Sequence, residues 1–246
     1  MSNLAPFERH LEVISYEAVR LAAVTADALD HKVPSCPEWT GRDLIDHVWH
    51  VHTFWHAQVR AADDSARRDP GERSIPKGEE PGDWLEDAAG GLVEALEAAG
   101  PDAPCWNWSG EALNVGWVAR RMALETAVHR FDGELAAGDQ TPIEPDVAVD
   151  GIDEFLRVHL QGDVPDAPEA TLGGTLCLAC SDTGKAWIVE VGGGQLRIRE
   201  GSGPASACLR GTASDVYLFT WNRVGVDDLE LTGSRSVAAA WAALPG

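Results

Sequence analysis

The stretch Arg120–Gly138, with the sequence RRMALETAVHRFDGELAAG, gives the clearest structural signal in the first half of the chain. Apolar side chains recur here at the spacing of an amphipathic helix, which we place from about Val115 to Ala136. Glu125 and His129 are four residues apart, so they lie one turn apart on the same flank of the apolar stripe. A carboxylate and an imidazole placed in this way can ligate a metal ion or form a hydrogen-bonded surface pair.

The remainder of the first half is also predicted to be helical. Thr40 and Asp43 form the pattern of a capping box, in which a hydroxyl residue is followed three positions later by an acid and then by an apolar run. Long helices with short links predict an antiparallel four-helix bundle, and inward side chains of such a bundle can build a metal site. Besides the helix at 115–136, the predicted helices are 7–29, 40–62, 84–98 and a shorter one at 147–160.

The second half has a different pattern, with short alternating runs, glycine turns and β-branched residues. We interpret the Pro/Gly segment 162–168 as a linker, which divides the chain into domains 1–162 and 163–246. The C-terminal domain is predicted to be α+β, with a small antiparallel sheet and helices on one face. The predicted strands are 171–179, 187–191, 195–199, 205–210 and 229–231, with helices at 212–222 and at the C-terminus.

Composition excludes several classes of function. The chain has 40 acidic and 19 basic residues and a net charge of −21, which disfavours binding to nucleic acids and to anionic membranes. Neither a signal peptide nor a membrane-spanning apolar run is evident, and we expect a cytoplasmic protein. Cys177 and Cys180 fall in a predicted strand and face opposite sides, so their C-x2-C spacing does not predict a metal site.

The second helix supplies the histidines that could complete a site with Glu125 and His129. His47 and His52 lie on opposite margins of its apolar stripe, so they cannot both face one interior site, and the spacing does not choose between them. Two histidines and one carboxylate leave a coordination position open, as in catalytic zinc sites, although Fe(II), Mn or Ni would also accept these ligands. Asp132 could accept a hydrogen bond from a ligand imidazole. The outward histidines are 50 and 56.

Three segments together resemble the mycothiol-dependent maleylpyruvate isomerase family. They are CPEWTGRDLIDHVWHVH (Cys36–His52), RRMALETAVHRFDGELAAG (Arg120–Gly138) and ACLRGTASDVYLFTWNR (Ala207–Arg223). The resemblance implies a DinB-like metal-binding bundle followed by a sterol-carrier-like α+β domain. It also implies zinc ligands at His47, Glu125 and His129, and it is this resemblance that favours His47 over His52.

The family further implies an enzyme in which zinc activates a low-molecular-weight thiol, mycothiol, for cis–trans isomerisation or S-transfer on a small electrophile. Arg223 would hold a substrate carboxylate, and Arg120 and Arg121 are further candidates for that role. The expected partners are therefore a small-molecule substrate and the thiol. Two alternatives remain: a metal-binding bundle without catalysis, and a small-molecule or lipid carrier that uses the C-terminal domain.

Overall fold

The computed structural model describes residues 5–25, 28–68, 71, 74–160, 174–192 and 195–244. The chain divides into two compact units, which we call the helical unit (Leu4–Thr141) and the sheet unit (Pro142–Gly246). The boundary thus precedes the one predicted between residues 162 and 163. The predicted linker at 162–168 lies outside the described residues.

The helical unit contains the long helices that the periodicity predicts, together with a short hairpin that it does not. Helix α1 ends at Thr25, before the predicted end at Leu29, and it packs against α3 and α4. A two-stranded hairpin then leads directly into α2. The elements are α1 (Phe7–Thr25), β1 (Lys32–Val33), β2 (Cys36–Thr40), α2 (Gly41–Ala61), α3 (Pro81–Ala99) and α4 (Val115–Ala137).

Side-chain caps fix the starts of α2 and α4, the two helices that carry the predicted metal ligands. At α2 the Asp43 amide donates to Thr40 Oγ1 at 3.3 Å, and the Thr40 amide donates to Asp43 Oδ2 at 2.8 Å, which completes the predicted capping box. At α4 the Trp117 amide donates to Asn114 Oδ1 at 2.9 Å. Because each cap satisfies amides that have no partner within the helix, it sets where the first turn begins.

A buried ionic network holds one side of α4 against α1. Arg130 has no exposed surface, and it donates through Nε to Glu17 and through Nη1 to Glu134, each at 2.7 Å. The same Nη1 donates to the backbone oxygen of Thr141 at 2.7 Å, and Arg20 donates to Glu134. A buried charge is tolerated only when it is paired and hydrogen-bonded, so this network fixes the face that α4 presents to α1.

The sheet unit is a five-stranded sheet with helices, in the strand order β5-β4-β3-β6-β7 within the described residues. Strands β3 and β6 are parallel, so the prediction of a wholly antiparallel sheet is wrong for this pair. Its elements are α5 (Pro145–Glu154), a π-helical turn (Phe155–His159), β3 (Leu176–Cys180), β4 (Ala186–Gly192), β5 (Gln195–Glu200), β6 (Ala207–Gly211), α6 (Ala213–Thr220), β7 (Glu230–Gly233) and α7 (Arg235–Ala242).

The parallel pair follows from the path of the chain. Two successive hairpins make β5 parallel to β3, and the segment 201–206 then returns along the sheet before β6 begins beside β3. Helix α5 packs on α6 so closely that a Cβ at Gly151 would lie 2.3 Å from the Tyr217 ring. This contact explains why α5 belongs to the sheet unit. No helix among the described residues combines the length and hydropathy needed to cross a bilayer.

Candidate metal centre

The three predicted ligands meet between α2 and α4. His47, Glu125 and His129 each place one donor atom within 4.8 Å of the others. The Nε2 atoms of His47 and His129 each lie 3.3 Å from Glu125 Oε1. Tetrahedral zinc with bonds of about 2.1 Å sets its ligand atoms roughly 3.4 Å apart, so these two distances to Glu125 fit such an ion. Whether these residues bind a metal remains a prediction.

Asp132 fixes the orientation of the His129 ring. His129 Nδ1 lies 2.9 Å from Asp132 Oδ2, and the buried Asp132 accepts a second hydrogen bond from Ser35 Oγ at 2.5 Å. With the proton on Nδ1, the lone pair of Nε2 is free to point at the cluster. Asp132 therefore occupies the supporting position that the sequence suggested. Ser35, on the unpredicted hairpin, carries no sequence signal for this role.

The guanidinium of Arg121 is committed to the other carboxylate oxygen of Glu125. Its Nη2 donates to Glu125 Oε2 at 2.5 Å, and Arg121 is buried. Although burial opposes ionisation, the charges of Arg121 and His129 hold the pKa of Glu125 well below its usual range. Glu125 is thus a carboxylate at neutral pH, with Oε1 directed at the histidines. The ion pair makes Arg121 a support for Glu125, which differs from its predicted role as a substrate-binding residue.

The electrostatics of His129 favour binding of a cation. Burial alone would lower its pKa, but the charge of Glu125, with hydrogen bonds to Asp132 and Glu125, raises the pKa of His129 to about 9. The negative environment that holds a proton on this ring can hold a metal ion in its place, because ligation requires the neutral imidazole.

His52, the rival candidate, lies beside the cluster but does not join it. Its Nε2 is 2.9 Å from Thr126 Oγ1, and Thr126 itself donates to the Met122 carbonyl at 2.6 Å. The threonine hydroxyl therefore accepts from His52, which carries its proton on Nε2. Burial lowers the pKa of His52 to about 4, so the ring is neutral and serves the packing of α2 on α4.

An open depression of about 730 Å³ exposes His47 to solvent. The ring of Trp39, from β2, lies 4.8 Å from the His47 ring between centroids and forms part of the wall. The depression is lined by Glu38, Trp39, Asp43, Asp46, His47, His50 and Ser74. A small molecule can therefore reach the cluster from the side of α2.

Arg223 lies in the sheet unit just after α6, where its Nη1 donates to the Trp221 carbonyl at 2.7 Å. Its role toward substrate remains a prediction. Trp106 stacks on Trp55 at 6.3 Å, and Trp108 meets Trp117 edge to face at 5.6 Å, so these residues form an aromatic cluster.

A helical unit with two histidines and a carboxylate converging between two helices defines a class: a helical domain with a candidate metal site. Residues 15–133 match the family model described as the mycothiol maleylpyruvate isomerase N-terminal domain, which confirms the predicted resemblance for this part of the chain. No curated protein sequence gives a significant match.

Two crystal structures have the same fold. One is of the mycothiol-dependent maleylpyruvate isomerase (13% identity, TM-score 0.61), and the other is of a mutant with alanine in place of a histidine (12% identity, TM-score 0.63). Each comparison covers 93% of this chain and 93% of the other. At this identity the likeness establishes a shared fold that mixes helices and sheet.

Proposed function

We propose that the protein is a zinc-dependent enzyme that uses a low-molecular-weight thiol, mycothiol, for cis–trans isomerisation of a small electrophile or for S-transfer to it. The observation that supports this function is the cluster of His47, Glu125 and His129 beside an open depression. The proposal includes a DinB-like antiparallel bundle for the helical unit, a sterol-carrier-like fold for the sheet unit, and a cytoplasmic location.

The donor set suits a catalytic rather than a structural site. A zinc ion held by these three ligands would supply a Lewis acid that lowers the pKa of a thiol, so that the thiolate forms at neutral pH. The chain's own residues prepare the site: Arg121 keeps Glu125 ionised, and Asp132 holds the tautomer of His129. A thiolate formed there would supply a nucleophile that can add to an electron-poor double bond and leave again after rotation, or that can displace a leaving group.

An external thiol is consistent with the cysteines of the helical unit, which are Cys36 and Cys105. Cys105 is buried, and burial raises the pKa of its thiol to about 11, so it is a poor nucleophile at neutral pH. Neither cysteine belongs to the cluster with Glu125.

The charge of the depression bears on the substrate. Its described lining holds three carboxylates, from Glu38, Asp43 and Asp46, and neither arginine nor lysine. A carboxylated substrate would therefore need a cation from outside this lining, and Arg223 remains our proposal for it. An uncharged electrophile would need no such residue.

One apolar cavity of the sheet unit is too small to support the carrier alternative. The cavity is lined by apolar side chains such as Leu178, Phe219 and Trp241, and it encloses only about 30 Å³. That volume is close to the space of one or two water molecules, which is far too small for a lipid chain.

Thiol-dependent turnover in a matched pair of variants tests the proposed function. Glu125→Gln keeps the size of the side chain but removes the charge that the cluster needs, and we expect turnover of maleylpyruvate with mycothiol to fall by at least about 100-fold. His56→Ala changes a histidine on the same helix, outside the cluster, and should retain the wild-type rate. Equal rates in the two variants, or a zinc-loaded wild type inactive with every thiol and electrophile tried, would contradict the proposal.

A further inference from the structure

Two cysteines of the sheet unit lie side by side in a single row across the sheet. Cys177 on β3 is paired with Cys208 on the parallel strand β6. The row continues to Thr232 on β7 and, on the other side, through Ile188 on β4 to Arg199 on β5. Residues in register on neighbouring strands project from the same face, so the two thiols lie on one side of the sheet.

The thiols are close enough to react with each other. Cys177 and Cys208 are directly paired in the register of β3 and β6, their thiols influence each other's protonation, and both cysteines are free. Neighbouring strands are about 4.8 Å apart, within the range of roughly 4.4–6.8 Å that Cα atoms span across a disulfide. A bond between the two sulfurs therefore needs little movement of the backbone.

Access to the two sulfurs differs. Cys208 is partly exposed, whereas Cys177 is buried. The return segment 201–206 passes over the row at β4, since a Cβ at Gly203 would lie 3.2 Å from Ile188 Cδ1. Cys208 is on the far side of Cys177 from that contact, so a reagent from solvent meets Cys208 first.

We propose that Cys177 and Cys208 form a reversible disulfide by exchange with a low-molecular-weight disulfide, such as the oxidised form of a cellular thiol. This site lies on residues that the metal centre does not use, and it does not depend on the function proposed above.

The exchange proceeds in two balanced steps. The Cys208 thiolate attacks one sulfur of the small disulfide RSSR, which forms a mixed disulfide and releases RS⁻; the proton lost by Cys208 returns to a thiolate through water. The Cys177 thiolate then attacks the sulfur of Cys208 and expels the second RS⁻. Two cysteine thiols and RSSR thus become one protein disulfide and two RSH.

The raised pKa of the Cys177 thiol indicates that Cys177 acts in the second step, the attack on the mixed disulfide. Burial, and after it the neighbouring Cys208 thiol, raises the pKa of the Cys177 thiol to about 12. A thiol so rarely ionised is a poor attacker of a disulfide in solution, but a neighbouring mixed disulfide presents its sulfur at contact distance.

Cys180 offers a matched control. It lies on the same strand, three residues from Cys177, so it faces the opposite side of the sheet, and it is buried. If the disulfide forms because two thiols lie close together, Cys180 should not take part in it.

Incubation of the folded, full-length protein with 2-hydroxyethyl disulfide tests the proposal. The partly exposed Cys36 can also form a mixed disulfide, so thiols are counted in the Cys36→Ser variant. We expect its four free thiols to fall by two, and to recover when a dithiol reductant is added. A tryptic digest without reduction should contain a cross-linked peptide lighter than its two components by the two thiol hydrogens. Cys208 is alone in its tryptic peptide, whereas Cys177 and Cys180 share one, so fragmentation assigns the bond.

Variants separate the roles of the two sulfurs. Cys177→Ser should stop at a stable mixed disulfide on Cys208, whereas Cys180→Ser should cross-link like the wild type. If Cys177→Ser does not fold, Cys208→Ser serves instead, and it should leave residue 177 unmodified. A persistent mixed disulfide on wild-type Cys208, or a native protein whose thiols react only after unfolding in urea, would overturn the proposal.

Discussion

His129 and Arg130 are adjacent in sequence, yet they face different neighbours of helix α4, and the two faces differ in how completely their charged groups are paired. On the side of α1, fully buried Arg130 finds a complete set of acceptors on Glu17, Glu134 and Thr141. On the side of α2, His129 and His47 direct their Nε2 atoms at a single carboxylate oxygen of Glu125, beside a solvent-open depression.

The comparison distinguishes charged residues that stabilise the fold, around Arg130, from charged residues that can bind a ligand, around Glu125. The network around Arg130 is closed, since each carboxylate faces a cation and solvent is excluded. The cluster around Glu125 is open, because two imidazole nitrogens compete for one oxygen atom and solvent reaches His47. Ligand atoms that converge on one point are the arrangement in which a metal ion is bound.

Removing the buried guanidinium should cause the largest loss of stability. Arg130→Met would leave two carboxylates buried without their main partner, and we expect the free energy of unfolding to fall by about 3–5 kcal/mol in urea titrations. The control is Arg68→Met, which removes the exposed ion pair with Asp63 and should cost about 0–1 kcal/mol. Similar losses in both variants would mean that the buried network around Arg130 stabilises the protein no more than an exposed ion pair does.

Weakening the hydrogen bond between Asp132 and His129 should lower metal affinity while leaving the buried network around Arg130 intact. Asp132→Asn keeps the size of the side chain but removes its charge, and we expect zinc affinity, measured by competition with a chelator, to fall about 10–100-fold. Stability of the metal-free protein should change far less than in Arg130→Met. An affinity matching that of Asp139→Asn, an exposed control after α4, would show that Asp132 does not support the ligand.

The smallest effect is expected at the cap of α2, the helix that carries His47. Thr40→Ala removes the hydroxyl that accepts from the Asp43 amide, and it should lower the free energy of unfolding by about 1 kcal/mol. Thr53→Ala, within the same helix, should change stability by less. If the two substitutions cost the same, the capping box does not stabilise α2.

Local signals predicted the helices that carry the site, and non-local contacts explain the errors. The caps at Thr40 and Asn114 satisfy amides close in sequence, so the starts of α2 and α4 are predicted to within one residue. The hairpin 32–40 is too short to give a periodic signal, and it supplies Ser35 and Trp39 to the site. The parallel pairing of β3 with β6 depends on the path of the segment 201–206, which no local pattern records.

The positions of His47 and His52 on a helical wheel also could not predict which of the two belongs to the site. Both lie at a margin of the apolar stripe of α2, and the structure separates them by what α4 presents to each. His47 meets the carboxylate of Glu125, whereas His52 meets the hydroxyl of Thr126. A single helix cannot encode which side chain of its neighbour lies opposite.

The convergence of His47, Glu125 and His129 predicts that these three residues hold one metal ion. The most direct test is the zinc content per chain after zinc loading and dialysis of the wild type, His47→Ala and His56→Ala. We expect close to one zinc in the wild type and in His56→Ala, and close to none in His47→Ala with the fold intact. A folded wild type without zinc, or a His47→Ala protein that retains it, would show that these residues do not form the metal site.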